Sequence, residues 1–300
     1  MDTIQTKLYV FLISSSKILN ITRNVRMSMF VRVSLVFAAF FCLSQSAFSA
    51  SDTACHASAI RSLQKLSPDG YAVYRAMTDK TQFMTWITCE DIQLDLATAV
   101  HESVHTLTEE QDAYPLIGGG SIARPHATEQ FMPPKEIAGQ MAKKFKDPLF
   151  IDTYLKPGSA TSSDNFMFLL DELNAFSHDL NAATKLTSVH TGNSRPDHRD
   201  GLAAMMAFVT AYAEDARKNN PETWKGMNEP NTAKVINTLW KQAETVMAAS
   251  CGIPDFGTND REYLGYVCNN GNAAALGDIL HHAPSCPARC LSSPITASAR

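Results

Sequence analysis

The chain has 300 residues, 45% of them hydrophobic and 19% charged, with a formal net charge of −4. That acidic balance excludes general affinity for nucleic acid or for anionic lipid as a property of the whole surface. The length suffices for one large domain or two small ones.

Residues 1–50 read as an upstream extension and a signal peptide. Met27 to Arg32 is a short basic start, residues 33–43 are an apolar run too short to span a bilayer, and residues 44–50 supply small residues for cleavage near Ala50. Residues 1–26 precede this signal. They read as a start codon assigned too early, with Met27 or Met29 the true start, or as part of an unusually long signal. A secreted or periplasmic location is expected, with no membrane attachment after cleavage. Cleavage removes five of the 26 basic residues and one of the 30 acids, which leaves 21 and 29 and a net charge of −8.

Residues 54–66 have helical spacing, with Ile60, Leu63 and Leu66 on one side, and Ser67-Pro68-Asp69-Gly70 is a turn. A second helix covers residues 71–77, and residues 81–88, with Trp86, form either a short helix or a strand. Asp91 caps the next helix, whose core stripe is Ile92, Leu96, Val100, Val104 and Leu107. The polar run 108–112 ends it. Tyr114-Pro115-Leu116-Ile117, three glycines and residues 121–125 predict a short strand or hairpin with a glycine tip.

A helix over residues 133–146 is expected to stop at Asp147-Pro148. After the loop 157–163, Asp164 caps a long apolar helix through Phe168, Leu169, Leu173, Phe176 and Leu180. A polar loop covers residues 191–201, and two strong helices cover 202–218 and 231–249. The last fifty residues are rich in cysteine and proline and read as irregular. Three parts result: residues 1–50, a mainly helical domain over 51–250, and a cysteine-rich segment over 251–300 packed on it.

Six cysteines remain after the signal: Cys55, Cys89, Cys251, Cys268, Cys286 and Cys290. An even count in an exported chain indicates disulfides. The local expectation pairs Cys55 with Cys89 and the last four among themselves. The rival is a four-cysteine zinc knot, which usually shows Cys-x-x-Cys clips that this chain lacks. The fold class expected is mainly α with a small β element, stapled by disulfides.

The helix over residues 92–107 carries His101-Glu102-Ser103-Val104-His105. Residues four apart share a helix face, so both imidazoles can address one ion, with Glu102 beside them to take a proton from water. The residues between and around the histidines are uncharged, as suits a buried helix. The segment resembles the extended signature of the zincin metallopeptidase superfamily, which implies a zincin-like α+β fold, a Zn2+ ion, and a peptide or protein substrate.

A catalytic zinc usually takes a third protein ligand. The metzincin pattern is excluded, because Gln111 stands where it needs a histidine and Thr108 where it needs a glycine. Glu172, followed three residues on by the small Ala175, resembles the gluzincin pattern of a ligand glutamate on a later helix. Asp171 is the fallback. Gluzincins often carry a supporting acid four residues after the ligand. Here that position is Phe176, so Asp171, Asp179 or a backbone carbonyl must stand in. Residues 257–265 also resemble the aspzincin motif, which would make Asp260 the third ligand.

The resemblance thus implies metal ligands His101, His105 and Glu172, with Glu102 as the catalytic base. Tyr114, Tyr154, His178, His190 and His198 are open as oxyanion donors. Two alternatives stand beside this reading. One is a non-enzymatic, disulfide-stabilised helical binding protein with an accidental motif. The other is a zinc hydrolase of another class.

Overall fold

A computed structural model of the chain describes residues 50–192, 197–254 and 256–292. The targeting reading of residues 1–49 and Pro294 lie outside the described residues.

The chain begins with α1 (Ala50–Leu66), α2 (Pro68–Ala76) and α3 (Lys80–Met84). Of residues 81–88, the first four are helical and the rest form a turn, with no strand. Asp79 accepts a bond from the Thr81 N–H at 2.8 Å and starts the turn. These three short helices cover one side of α4 (Ile92–Gln111), the motif helix. Asp91 caps α4 as its sequence suggests, accepting from Gln93 and Leu94. Leu96, Val100, Val104 and Leu107 are buried with Leu63, Val73 and Phe83 in a small core under α1–α3.

Strands β1 (Ala113–Pro115) and β2 (Ser121–Ala123) follow as an antiparallel hairpin, with Tyr114 opposite Ile122. Gly118, Gly119 and Gly120 all have positive φ, a conformation glycine adopts without steric cost, so the tip has the chemistry it needs. The hairpin is tied down by Pro115 O, which accepts bonds from Asn174 Nδ2 and His178 Nε2, both at 3.0 Å.

Residues 133–146 do not form one helix. A 3-10 turn (Pro134–Ile137) leads into α5 (Ala138–Lys144), and α6 (Leu149–Tyr154) follows. Next comes α7 (Phe166–Lys185). Its cap is Asn165, not Asp164. The Asn165 side chain accepts from Met167 N at 2.8 Å, whereas Asp164 pairs with Lys135 at 2.7 Å.

Helix α7 is the centre of the fold. It packs on α4, on α8 (His198–Asn219) and on α10 (Pro230–Ser250), with the short α9 (Pro221–Met227) between the last two. Leu169, Leu170, Leu173 and Leu180 enter the main core, while Ala175 and Ala182 face the smaller one. A helix buried on all sides is expected to be apolar throughout. Yet α7 also buries Asp171, Glu172, Asn174, His178, Asp179 and Asn181. Such groups are costly in a core unless each finds a partner, and that cost points to the site.

The C-terminal segment is helical rather than irregular: α11 (Asp260–Val267), α12 (Asn270–Leu280) and α13 (Ala288–Leu291). Each helix is too short to show a long period. Tyr263, Leu264, Val267, Leu276 and Ile279 enter the main core, and Asn269 caps α12. The six cysteines form three disulfides, Cys55–Cys89, Cys251–Cys290 and Cys268–Cys286. The last four are therefore spent on each other, and the zinc knot is excluded.

Candidate metal centre

Two helices must come close to assemble the cluster. Ala99 on α4 and Ala175 on α7 are fully buried in the same small core, and their size lets the backbones approach. His101 and His105 leave α4 one turn apart, and Glu172 leaves α7 toward them. His101 is buried, whereas the His105 side chain is 25% exposed.

The three facing atoms converge. His101 Nε2 and His105 Nε2 are 3.2 Å apart, and Glu172 Oε2 is 3.7 Å from the first and 3.5 Å from the second. Tetrahedral bonds of about 2.1 Å would set neighbouring ligand atoms about 3.4 Å apart. The observed triangle has that size. Glu172 Oε2 is buried and accepts no hydrogen bond, a cost that a cation at the triangle's centre would offset. The donor set, two imidazoles and a carboxylate, suits zinc. Among the described residues it is the one His/Cys/Asp/Glu group close enough to hold an ion.

The far sides of the rings are also occupied. His105 Nδ1 lies 2.6 Å from Asp171 Oδ2, so its N–H is committed to that carboxylate and Nε2 is left for the triangle. His101 Nδ1 faces Asp179 Oδ2 at 4.0 Å. Asp171 and Asp179 thus stand on the far sides of the two rings, while position 176 holds no acid. Phe176 instead sets its ring edge-to-face on His101, with centroids 4.5 Å apart.

The electrostatics follow from this crowding. Burial, reinforced by Glu172 and Asp179 and opposed by His105, raises the Glu102 carboxyl to about 7. Burial pulls His105 down, but Asp171 and Glu172 outweigh it and hold this imidazole well above its usual value. Burial, with His105 next, keeps His101 well below.

Asp171, the fallback ligand, supports His105. Asp260 is not part of the cluster. Its carboxylate lies 3.1 Å from Arg199 Nε, in a turn where Asp200 accepts the N–H groups of Thr258, Asn259 and Asp260. Of the open oxyanion donors, Tyr114 gives its hydroxyl to Met167 O, His178 is bonded to Pro115 O, His190 pairs with Asp91, and His198 pairs with Asp179. Tyr154 is different. Its ring is buried against Phe176 at 5.7 Å, and burial followed by Glu172 and Glu102 raises its phenol well above the ordinary value. His126, His281 and His282 are exposed, away from the cluster.

Sequence reading did not find the pairing of Asp179 with His198. The signal was the spacing of seven between Glu172 and Asp179, two helical turns, which puts both on one face. Compared with family models, with curated proteins and with solved structures, the chain matches none of them.

Proposed function

We propose that this chain is an exported zinc-dependent metallopeptidase in which His101, His105 and Glu172 hold the ion and Glu102 is the general base. The observation that carries the reading is the triangle of 3.2, 3.5 and 3.7 Å, with a buried Glu172 oxygen that has no other partner. When bound, the ion supplies Lewis-acid polarisation of a carbonyl and brings the acidity of water near neutral pH.

The chain's own residues do the rest. Glu102, with its carboxyl raised to about 7, takes a proton from the attacking water and returns it to the leaving amine. Asp171 fixes the tautomer of His105 by holding its Nδ1. Tyr154, whose buried phenol keeps its proton, is the remaining side chain to offer a hydrogen bond to the developing oxyanion. Export agrees with three disulfides, and no helix among the described residues is long and apolar enough to cross a membrane. The likeness to zincins is local, confined to the paired helices α4 and α7.

The test uses the purified mature chain. One zinc per chain is expected, together with chelator-sensitive cleavage of a broad peptide library. Glu102→Gln should keep the zinc and lose the cleavage. Absence of bound metal, or undiminished cleavage by Glu102→Gln, refutes the proposal. Zinc binding with hydrolysis of non-peptide substrates alone would move the chain to another hydrolase class.

A further inference from the structure

His198 opens α8 and is 3% exposed, with its ring against Phe256. Its Nδ1 lies 2.6 Å from Asp179 Oδ1. The other oxygen of the same carboxylate, Oδ2, faces His101 Nδ1 at 4.0 Å. His198 Nε2 is buried with no hydrogen-bond partner. One carboxylate therefore stands between two imidazoles that come from helices nearly a hundred residues apart in sequence.

We infer that Asp179 and His198 form a positioning relay that orients His101 for metal binding. This rests on the metal-centre reading above. Each ring of the pair needs its Nδ1 fixed if Nε2 is to offer a lone pair to the cluster. His105 has Asp171 for this, in contact at 2.6 Å. His101 has Asp179, and Asp179 needs something to hold it.

His198 does that by pairing its Nδ1 with Oδ1 at 2.6 Å, an ion-pair contact rather than an aligned hydrogen bond. The Asp179 rotamer is then set and Oδ2 is left aimed at His101. The gap of 4.0 Å is longer than a hydrogen bond, so Oδ2 acts on His101 as a facing charge. Phe176, edge-on to His101, limits the ring's other motions.

The unpartnered Nε2 of His198 fits this role. A histidine kept for core stability would be expected to satisfy both nitrogens. Here the one polar contact is the ion pair of Nδ1 with Asp179, so the ring is placed for what it does to Asp179.

The experiment measures zinc affinity of the full mature protein by competition with a chromophoric chelator. The absorption bands of the Co2+ form are recorded in parallel, and the stability of the metal-free protein by urea unfolding. Asp179→Asn and His198→Ala should each weaken zinc binding by about 10–100-fold. The double variant should be no weaker than Asp179→Asn, because both act through one path. His198→Asn keeps an N–H donor near the Nδ1 position and should restore most of the affinity and the wild-type Co2+ spectrum.

If His198→Ala does not fold, His198→Asn against Asp179→Asn carries the test. Wild-type affinity in Asp179→Asn, or equal losses in His198→Ala and His198→Asn, overturns the relay and leaves the metal centre standing. Failure of the wild-type chain to bind zinc overturns both.

Discussion

Gly201 is the most informative position for a single added methyl group. It lies in the first turn of α8, and a Cβ built there would be 2.2 Å from Phe176 Cε1 and 2.4 Å from Cδ1. Ordinary carbon contacts are about 3.5–4.0 Å, so the ring or the helix must move by more than about 1 Å. The ring has no easy way out, since its centroid is 4.5 Å from that of His101, 5.7 Å from Tyr154 and 6.1 Å from Phe150. Two effects compete in Gly201→Ala. Alanine favours the helix by about 0.5–1 kcal/mol. Overpacking a rigid core costs about 1–3 kcal/mol, and a contact this short belongs at the upper end. The net expectation is a loss of about 2 kcal/mol in urea unfolding of the metal-free protein. Zinc affinity should fall as well, because a displaced Phe176 presses on His101. Adding Phe176→Leu, which shortens the clashing side chain, should recover part of the stability. A Gly201→Ala protein as stable as wild type, with unchanged zinc affinity, would refute the claim that Phe176 links α8 to the proposed metal ligands.

Asp171→Asn should weaken zinc binding by about 10–100-fold in the chelator competition, through loss of the carboxylate on His105 Nδ1. Tyr154→Phe should lower kcat by about 10²–10³ while zinc content and KM stay as they are, and an unchanged kcat removes Tyr154 as the oxyanion donor. Burial holds the His178 imidazole down at about 4, whereas the unfolded chain takes up that proton at about 6.5. The unfolded state then binds protons first as pH falls. Stability is full above pH about 6.5 and declines toward pH about 4, by about 3 kcal/mol from this residue. His178→Gln keeps a donor for Pro115 O and should flatten unfolding free energy against pH in that window. Changing Cys55 and Cys89 together to serine releases a closure of 34 residues and should cost about 2–4 kcal/mol in urea unfolding, and no loss would mean the bridge does not form in solution.

How much of this was legible in the sequence depends on the kind of signal each element carries. Helices α4, α7, α8 and α10 announce themselves because their apolar residues recur over many turns, and Asp91 marks the start of α4 in the expected way. The hairpin was readable from three adjacent glycines, all with positive φ. The short C-terminal helices were not, because α11 with 8 residues and α12 with 11 leave little period to read between cysteines and prolines. The cap of α7 failed by one residue. Asp164 and Asn165 are both good capping residues, and only the nearby Lys135 decides that Asp164 turns outward.

The cluster itself divides along the same line. The spacing of four between His101 and His105 is set by helix geometry alone, so it is visible without a structure. Glu172 was visible for a different reason: an acid in a helix otherwise fit for the core calls for compensation. The supporting groups depend on how three helices rotate against one another, which no local pattern encodes. A rule of fixed spacing from the ligand glutamate looked to position 176 and found phenylalanine. The acids that face the two rings are instead one next to Glu172 and another two turns after it. Asp171, preceding Glu172, reaches the more exposed His105 at 2.6 Å, and Asp179 faces the buried His101 at 4.0 Å. This arrangement frees position 176 for a ring that packs against His101, and Gly201 on α8 makes room for that ring. Phe176 and Gly201 are therefore one choice rather than two. The missing acid is a consequence of how closely α8 approaches α7, and the same approach brings His198 to Asp179.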